Sequence, residues 1–306
     1  MKILIAYDGS DCSDVALDDL SKAGLPEVNE ALVLSAVEIP SRIEKVVTLA
    51  ADLGSYFPDD SQVRDFDEDL RKEAQAIATL AADRLNGRFP KWPIVTKALI
   101  DSPGPAIVRL ADAWKPDLIL MGSHGRSGFK RFMLGSVSEY VLNHTKCSVR
   151  IGRCRSAKHQ SIRLLVGTDG SASSLAAVKG AAARPWPKDT EICVLDVVDS
   201  RSWLLASATA EPGSICMPAV EEELHRVASL TVQEAARELN KTGLSIITKV
   251  GDGFPGDTLV GEAEKWEANC IFIGARGLNA LGRTCLGSIS AAVVRRAPCS
   301  VEVVHG

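Results

Sequence analysis

Ile3-Leu4-Ile5-Ala6-Tyr7-Asp8-Gly9-Ser10 returns, position for position, as Leu164-Leu165-Val166-Gly167-Thr168-Asp169-Gly170-Ser171. An apolar, β-branched run ending on Asp-Gly-Ser reads as a buried strand, a tight turn and the N-cap of a helix. Three further blocks repeat. Met121-Gly122-Ser123-His124-Gly125 recurs as Ile273-Gly274-Ala275-Arg276-Gly277, and Leu134-Gly135-Ser136-Val137-Ser138 as Leu286-Gly287-Ser288-Ile289-Ser290. Lys146-Cys147-Ser148-Val149 recurs as Pro298-Cys299-Ser300-Val301. The first block is offset by 161 residues and the others by 152, so the copies differ by nine residues of insertion, a change that loops tolerate. The chain is therefore read as a tandem duplication: domain one at 1–152, a polar, basic linker at Arg153–Ser161, and domain two at 162–306. The linker's charge is expected to be that of a solvated connector.

Within the first repeat, Lys2–Tyr7, Ala31–Val37, Ile94–Ile100, Leu118–Met121 and Ser148–Ile151 read as strands. They are nearly continuously apolar, as in a parallel sheet covered on both faces. Between them, Leu70, Ala74, Ile77, Ala81 and Leu85 share one helical face, matched by Leu224, Ala228, Thr231, Ala235 and Leu239. Ser10 and Ser171 stand at N-caps, and Pro103 and Pro255 near helix starts. Strand–helix alternation predicts a doubly wound α/β sheet in each repeat. The terminal strands Ser148–Ile151 and Ser300–Val304 are candidates for covering one another's edges.

Composition narrows the function classes. The 306 residues are 46% apolar and 24% charged, with a net charge of −4, so no basic field recruits nucleic acid or an anionic membrane. No apolar stretch approaches the roughly 20 residues of a spanning helix. The N-terminus is apolar only over Ile3–Tyr7, without a signal-peptide pattern. Eight cysteines, none in Cys-x-x-Cys, point to a reducing cytoplasm. His144, His159, His225 and His305 are too scattered for a metal set. Cys147 and Cys299 read as small core residues, and Cys12 as an accessible thiol.

Three elements should converge at the carboxyl ends of the strands, where doubly wound sheets bind ligands. They are the Asp8-Gly9-Ser10 turn, the loop of Gly122 and Gly125, and Gly135-Ser136 opening a helix. The spacing G-x-x-G, nine residues, G-S is repeated as Gly274, Gly277, Gly287 and Ser288. Glycines admit a close backbone approach, and a helix N-terminus offers unpaired N–H groups suited to phosphate. Arg126, Lys130 and Arg131 lie inside the first glycine span, and Arg276 and Arg283 inside the second, where they could close over a polyphosphate. The alternative reading is a strand-to-helix turn with a cap, which any α/β protein needs. His124 could contact a phosphate or titrate near neutrality, or simply face solvent. The segments Pro40–Gln62 and Asp199–Pro218, with Tyr56, Phe57 and Trp203, could form a lid or a partner surface.

The strand-one Asp, G-x-x-G-x9-G-S and the Cys-flanked closing strand resemble the universal stress protein family in its tandem two-domain form. The resemblance implies a five-stranded parallel sheet of the adenine nucleotide α-hydrolase-like kind in each domain. It also implies ATP, usually with a divalent cation such as Mg2+ on the phosphates. Carried over, Ala6, Asp8 and Val37 would line the adenine and ribose side. Gly122, Gly125, Gly135, Ser136 and Val137, with Arg126 beside them, would take the ribose and phosphates. In the second repeat Gly167, Asp169, Val197, Gly274, Gly277, Gly287, Ser288 and Ile289 would play the same parts, with Val198 replacing Val197 after a one-residue register change. The first site is expected to be the more competent, because Ala275 replaces the Ser123 hydroxyl in the second.

No P-loop, strand-adjacent G-x-G-x-x-G or G-x-S-x-G motif is present, so any ATP hydrolysis is expected to be slow. The expected function is an ATP-binding stress-response regulator with an unknown protein partner. The alternatives are a slow ATP-hydrolysing enzyme and a nucleotide-free interaction scaffold. Fusing two copies would make a family-type pair intramolecular, and a homodimer of the whole chain is a further expectation.

Overall fold

The computed structural model describes residues 1–38, 60–125, 134–153, 159–199, 217–277 and 286–306, with side chains from 67 and 218 onward in the helices that begin at 60 and 217. The first half runs β1 (Lys2–Ala6), α1 (Asp11–Asp19), β2 (Glu30–Val37), α2 (Asp60–Arg88), β3 (Ile94–Ile100), α3 (Pro103–Trp114), β4 (Leu118–Gly122), α4 (Ser136–His144) and β5 (Ser148–Gly152). The second half repeats the order as β6 (Arg163–Gly167), α5 (Ala172–Ala182), β7 (Glu191–Asp199), α6 (Met217–Leu239), β8 (Ser245–Gly253), α7 (Pro255–Lys265), β9 (Cys270–Gly274), α8 (Ser288–Arg296) and β10 (Ser300–Val304).

All ten strands form one sheet in the order β3-β2-β1-β4-β5-β10-β9-β6-β7-β8. Each half is a parallel five-stranded sheet, and the halves join through an antiparallel β5–β10 pair. The two expected edges thus cover one another, which removes an unpaired strand edge from each half. The central strands are buried on both faces, with Ile3, Leu4, Leu164 and Leu165 fully enclosed. On one face the core is continuous across the joint, linking Leu4, Val149 and Ile151 to Val301, Val303 and Leu165. On the other face each half keeps its own cluster.

Local chemistry sets the helix starts. Ser10 and Ser171 accept from the N–H groups of Ser13 (3.3 Å) and Ser174 (3.2 Å). Pro103 and Pro255 open α3 and α7, where a missing N–H costs nothing. The expected apolar faces of α2 and α6 are the enclosed ones: Ala74, Ala81, Leu85, Ala228, Ala235 and Leu239 are buried.

Charge is buried at the joint. Arg150 is fully enclosed on β5 and stands opposite Glu302 on β10 in the register. Its Nε donates to Asp19 Oδ2 (2.6 Å) and its Nη1 to Glu302 Oε2 (3.2 Å). Arg184 also pairs with Glu302 and donates to the Ala23 carbonyl (2.7 Å), tying the second half back to the first. Burial alone would lower the Arg150 pKa, yet Asp19, Cys270 and Glu302 hold it well above its ordinary value. Arg153, expected to open a solvated linker, is instead anchored. Its N–H donates to Ser300 Oγ (3.0 Å) and its Nη2 to the Val294 carbonyl (2.6 Å).

Candidate functional site

In each half the strand order reverses between the first strand and its neighbour, β1 beside β4 and β6 beside β9. A cavity opens there at the carboxyl ends of the strands. The first measures about 150 Å³ and the second about 440 Å³.

The aspartate turn forms one wall. Asp8 Oδ1 accepts from the Ser10 N–H (3.1 Å) and from the Ser10 hydroxyl (2.6 Å). Asp169 Oδ1 accepts from the Ser171 N–H (3.0 Å), and the Asp169 N–H donates to Ser174 Oγ (3.3 Å). Opposite lies the glycine loop. A Cβ at Gly122 would stand 2.8 Å from the Cys12 carbonyl carbon, and one at Gly274 2.5 Å from that of Ser173, so the loop passes against the first helix of its half only because these side chains are absent. A Cβ at Gly125 or Gly277 would lie 2.9 or 2.8 Å from the carboxylate of Asp8 or Asp169. The glycine loop and the aspartate therefore face each other at contact distance.

The floor is a helix N-terminus. The Gly135 N–H donates to the Ser123 carbonyl (2.8 Å), and the Gly287 N–H to that of Ala275 (2.8 Å). Ser138 and Ser290 donate to the carbonyls of Gly122 (2.9 Å) and Gly274 (2.7 Å), locking loop to helix. Gly135 and Gly287 are the N-caps of α4 and α8, and among the described residues no side chain caps either helix. First-turn N–H groups and the positive end of the helix dipole are thus presented at the cavity.

Of the sequence-derived residues, Ala6, Asp8, Gly122 and Gly125 line the first cavity together with Gly135, Ser136 and Val137. Val37 does not, and Ala36 takes the wall in its place. The second cavity is the larger and reaches further past its strand end, to the equivalent of Val37. Arg126, Lys130, Arg131 and Arg283 lie outside the described residues, as do nearly all of the two segments read as a lid or partner surface. In the second cavity Gly167, Asp169, Val197 and Gly274 line the wall, with Gly277, Gly287, Ser288 and Ile289 completing the loop and floor. Val198 is there as well. Pairing of Ala6 with Leu34 and of Gly167 with Leu195 makes Val198 the equivalent of Val37 and Val197 that of Ala36.

Two features of the second cavity were not expected from the sequence. Leu224, Ala228 and Thr231, read there only as one helical face, join Val227 in bringing α6 into its wall. Asp196 also lines it, only 9% exposed. Burial pushes its carboxyl up to about 6, opposed by the Val197 N–H (2.7 Å) and reinforced by nearby Asp169. The first half has Ser35 at this place, its hydroxyl buried without a partner. Asp196 as the one acid within the otherwise apolar run 192–198 of β7 was the signal available. His124 is half-buried and lines the first cavity. It shares a 2.9 Å hydrogen bond with Ser123 through Nδ1, while Nε2 is buried without a partner.

Fold and site together define a doubly wound α/β protein in tandem, with one glycine-walled cavity per repeat. The family model for the universal stress protein family matches the chain twice, over residues 1–153 and 162–305, and the chain belongs to that family. It is 27% identical over 175 residues to a universal stress protein of Methanocaldococcus jannaschii, spanning 57% of this chain and 95% of that one. With a universal stress protein of Mycobacterium tuberculosis it shares 25% identity over 241 residues, 78% of each chain. A crystal structure of a universal stress protein from Archaeoglobus fulgidus has the same fold, with a TM-score of 0.54 at 22% identity, covering 99% of this chain and 97% of that one. Among the described residues no helix is long and apolar enough to cross a membrane.

Proposed function

We propose that the chain is an adenine-nucleotide-binding regulator of the stress response, with one ATP in each cavity and occupancy altering its shape or choice of protein partner. The observation that carries this reading is the uncapped N-terminus of α4 and of α8, each opening at Gly-Ser opposite a strand-one aspartate. Fixed N–H dipoles and a serine hydroxyl suit phosphoryl oxygens, and close backbone approach suits a bulky polyphosphate. Ala6, Ala36 and Ile107 in the first cavity, and Val197, Val198 and Leu259 in the second, offer apolar surface for a base. Asp8 and Asp169 offer acceptors for ribose hydroxyls. Mg2+ would neutralise phosphate charge between loop and solvent.

The test is a calorimetric titration of nucleotide-free chain with ATP and magnesium. Ser136→Asp and Ser288→Asp put a carboxylate at each helix start, where it suits the dipole but repels phosphate. Each single variant is expected to lose one site and the double variant both. Unchanged binding in the double variant would contradict this placement. No binding to the unaltered chain would leave the interaction scaffold as the better reading.

A further inference from the structure

Two positions of the repeat carry the same pair of side chains in opposite order. His124 and Arg153 in the first half become Arg276 and His305 in the second, both at the 152-residue offset of the surrounding blocks. In each half one member lines the cavity, His124 in the first and Arg276 in the second, and the other follows the last strand.

The residues behind are half-buried, each with a polar atom out of reach of solvent. Arg153 Nη1 is buried without a hydrogen-bond partner, and Nη2 reaches only the Val294 carbonyl. No carboxylate among the described residues is paired with Arg153; the groups acting on it are the thiols of Cys299 and Cys12, and burial lowers its pKa. His305 Nε2 is likewise buried without a partner. Among the described residues this largely desolvated guanidinium meets no counter-charge, and such a group is costly. An anion in the first cavity, beside His124, would supply that charge.

Resting on the nucleotide reading above, we propose that the first cavity takes up its anionic ligand together with a proton at His124, backed by Arg153. The permanently charged Arg276 fills that place in the second cavity and makes the proton unnecessary there. In the free chain, burial and then Arg153 lower the His124 pKa and so disfavour the imidazolium. A phosphoryl group beside Nε2 would raise it again, so binding is tightest at low pH and weakens as pH rises through the raised value. Burial and Arg276 bring His305 down to about 4, so it stays neutral across that range.

Other ionisable groups face these positions. Tyr7 and Asp8 line the first cavity, and Cys12 lies on α1 beside Arg153. Asp169 and Asp196 line the second, where Asp196 titrates at about 6. Comparisons are therefore made within one cavity, which also cancels the titration of ATP itself.

In a Ser288→Asp background, ATP affinity at roughly pH 6 and pH 8 is measured with and without His124→Gln. Protons taken up per ATP are read from calorimetry in two buffers of different ionisation heat. The expected result is a loss of proton uptake and of a pH-dependent factor on the order of tenfold per pKa unit that the ligand lifts His124. In a Ser136→Asp background, Arg276→His with His305→Arg should confer the same dependence on the second cavity. A pH ratio unchanged within about twofold by His124→Gln, or no gain from the exchanged pair, overturns the proposal. Imidazole NMR of the ligand-free chain is a separate readout: Arg153→Gln should raise the His124 pKa, and an unmoved value refutes the couple. If ATP binds neither cavity at any pH, the proposed function itself fails, and the proton coupling fails with it.

Discussion

Replacing Arg150 by methionine should be among the most damaging single changes available outside the cavities. Arg150 is fully enclosed, and its guanidinium holds two buried carboxylates, Asp19 at 2.6 Å and Glu302 at 3.2 Å. Methionine fills much of the volume, so the loss is electrostatic rather than a cavity. Glu302 keeps Arg184, but Asp19 has no second ion pair among the described residues. Removing one partner of a buried pair costs about 3–5 kcal/mol, because the remaining charge stays desolvated. Keeping Arg184 on Glu302 places the expected loss near the lower end, about 3 kcal/mol. Guanidinium denaturation, followed by far-UV dichroism, gives the number. A double-mutant cycle with Glu302→Gln should then show that the losses are not additive, since both changes break one contact. A loss below about 1 kcal/mol for Arg150→Met would refute the claim that this network secures the joint.

Asp196→Asn should stabilise the chain above neutrality. The carboxyl rises from 3.8 to about 6 on folding, so its favourable contribution is complete below the unfolded value and lost as pH rises through the folded one. The variant should gain on the order of 2–3 kcal/mol at pH 8 and nothing near pH 4, read as midpoints of denaturation across pH. Equal gains at both values would exclude this origin. Ser10→Ala and Ser171→Ala each remove an N-cap acceptor and should cost about 1 kcal/mol in thermal or chemical unfolding; Ser10→Ala should cost more, because it also takes a hydrogen bond from Asp8. Gly122→Ala drives a Cβ to 2.8 Å from the α1 backbone and should lower both stability, by about 1–3 kcal/mol, and ATP affinity. ATP affinity equal to that of the unaltered chain would show that the close approach does not shape the cavity.

The fold was legible because its central strands are short and apolar on both faces, and because the repeat supplied two readings of each element. Strand edges such as Ile94–Ile100 coincide with the sequence expectation, and the serine and proline helix starts stand where expected. The antiparallel joint was also foreseeable from the exposed edges it removes. The buried charges were not. Arg150 sits inside a run read as nearly apolar, and its partners lie at residues 19 and 302, a contact that only the joined sheet creates. The matching positions of Arg150 and Glu302, opposite in charge, were the available clue. Val37 does not line the first cavity whereas its equivalent Val198 lines the second, because the two cavities differ in how far they extend past the strand end, which residue type does not show. Arg153 was hidden by the composition of its neighbours, which reads as solvated linker although this side chain reaches α8.

The most direct test of the central claim is nucleotide content. Freshly purified chain is denatured, and the released small molecules are separated and weighed by mass spectrometry against protein concentration, then again after loading with ATP and magnesium. The paired cavities predict adenine nucleotide approaching one per cavity after loading, falling by half in Ser136→Asp or Ser288→Asp. A chain that holds no nucleotide as purified and retains none after loading would contradict the account.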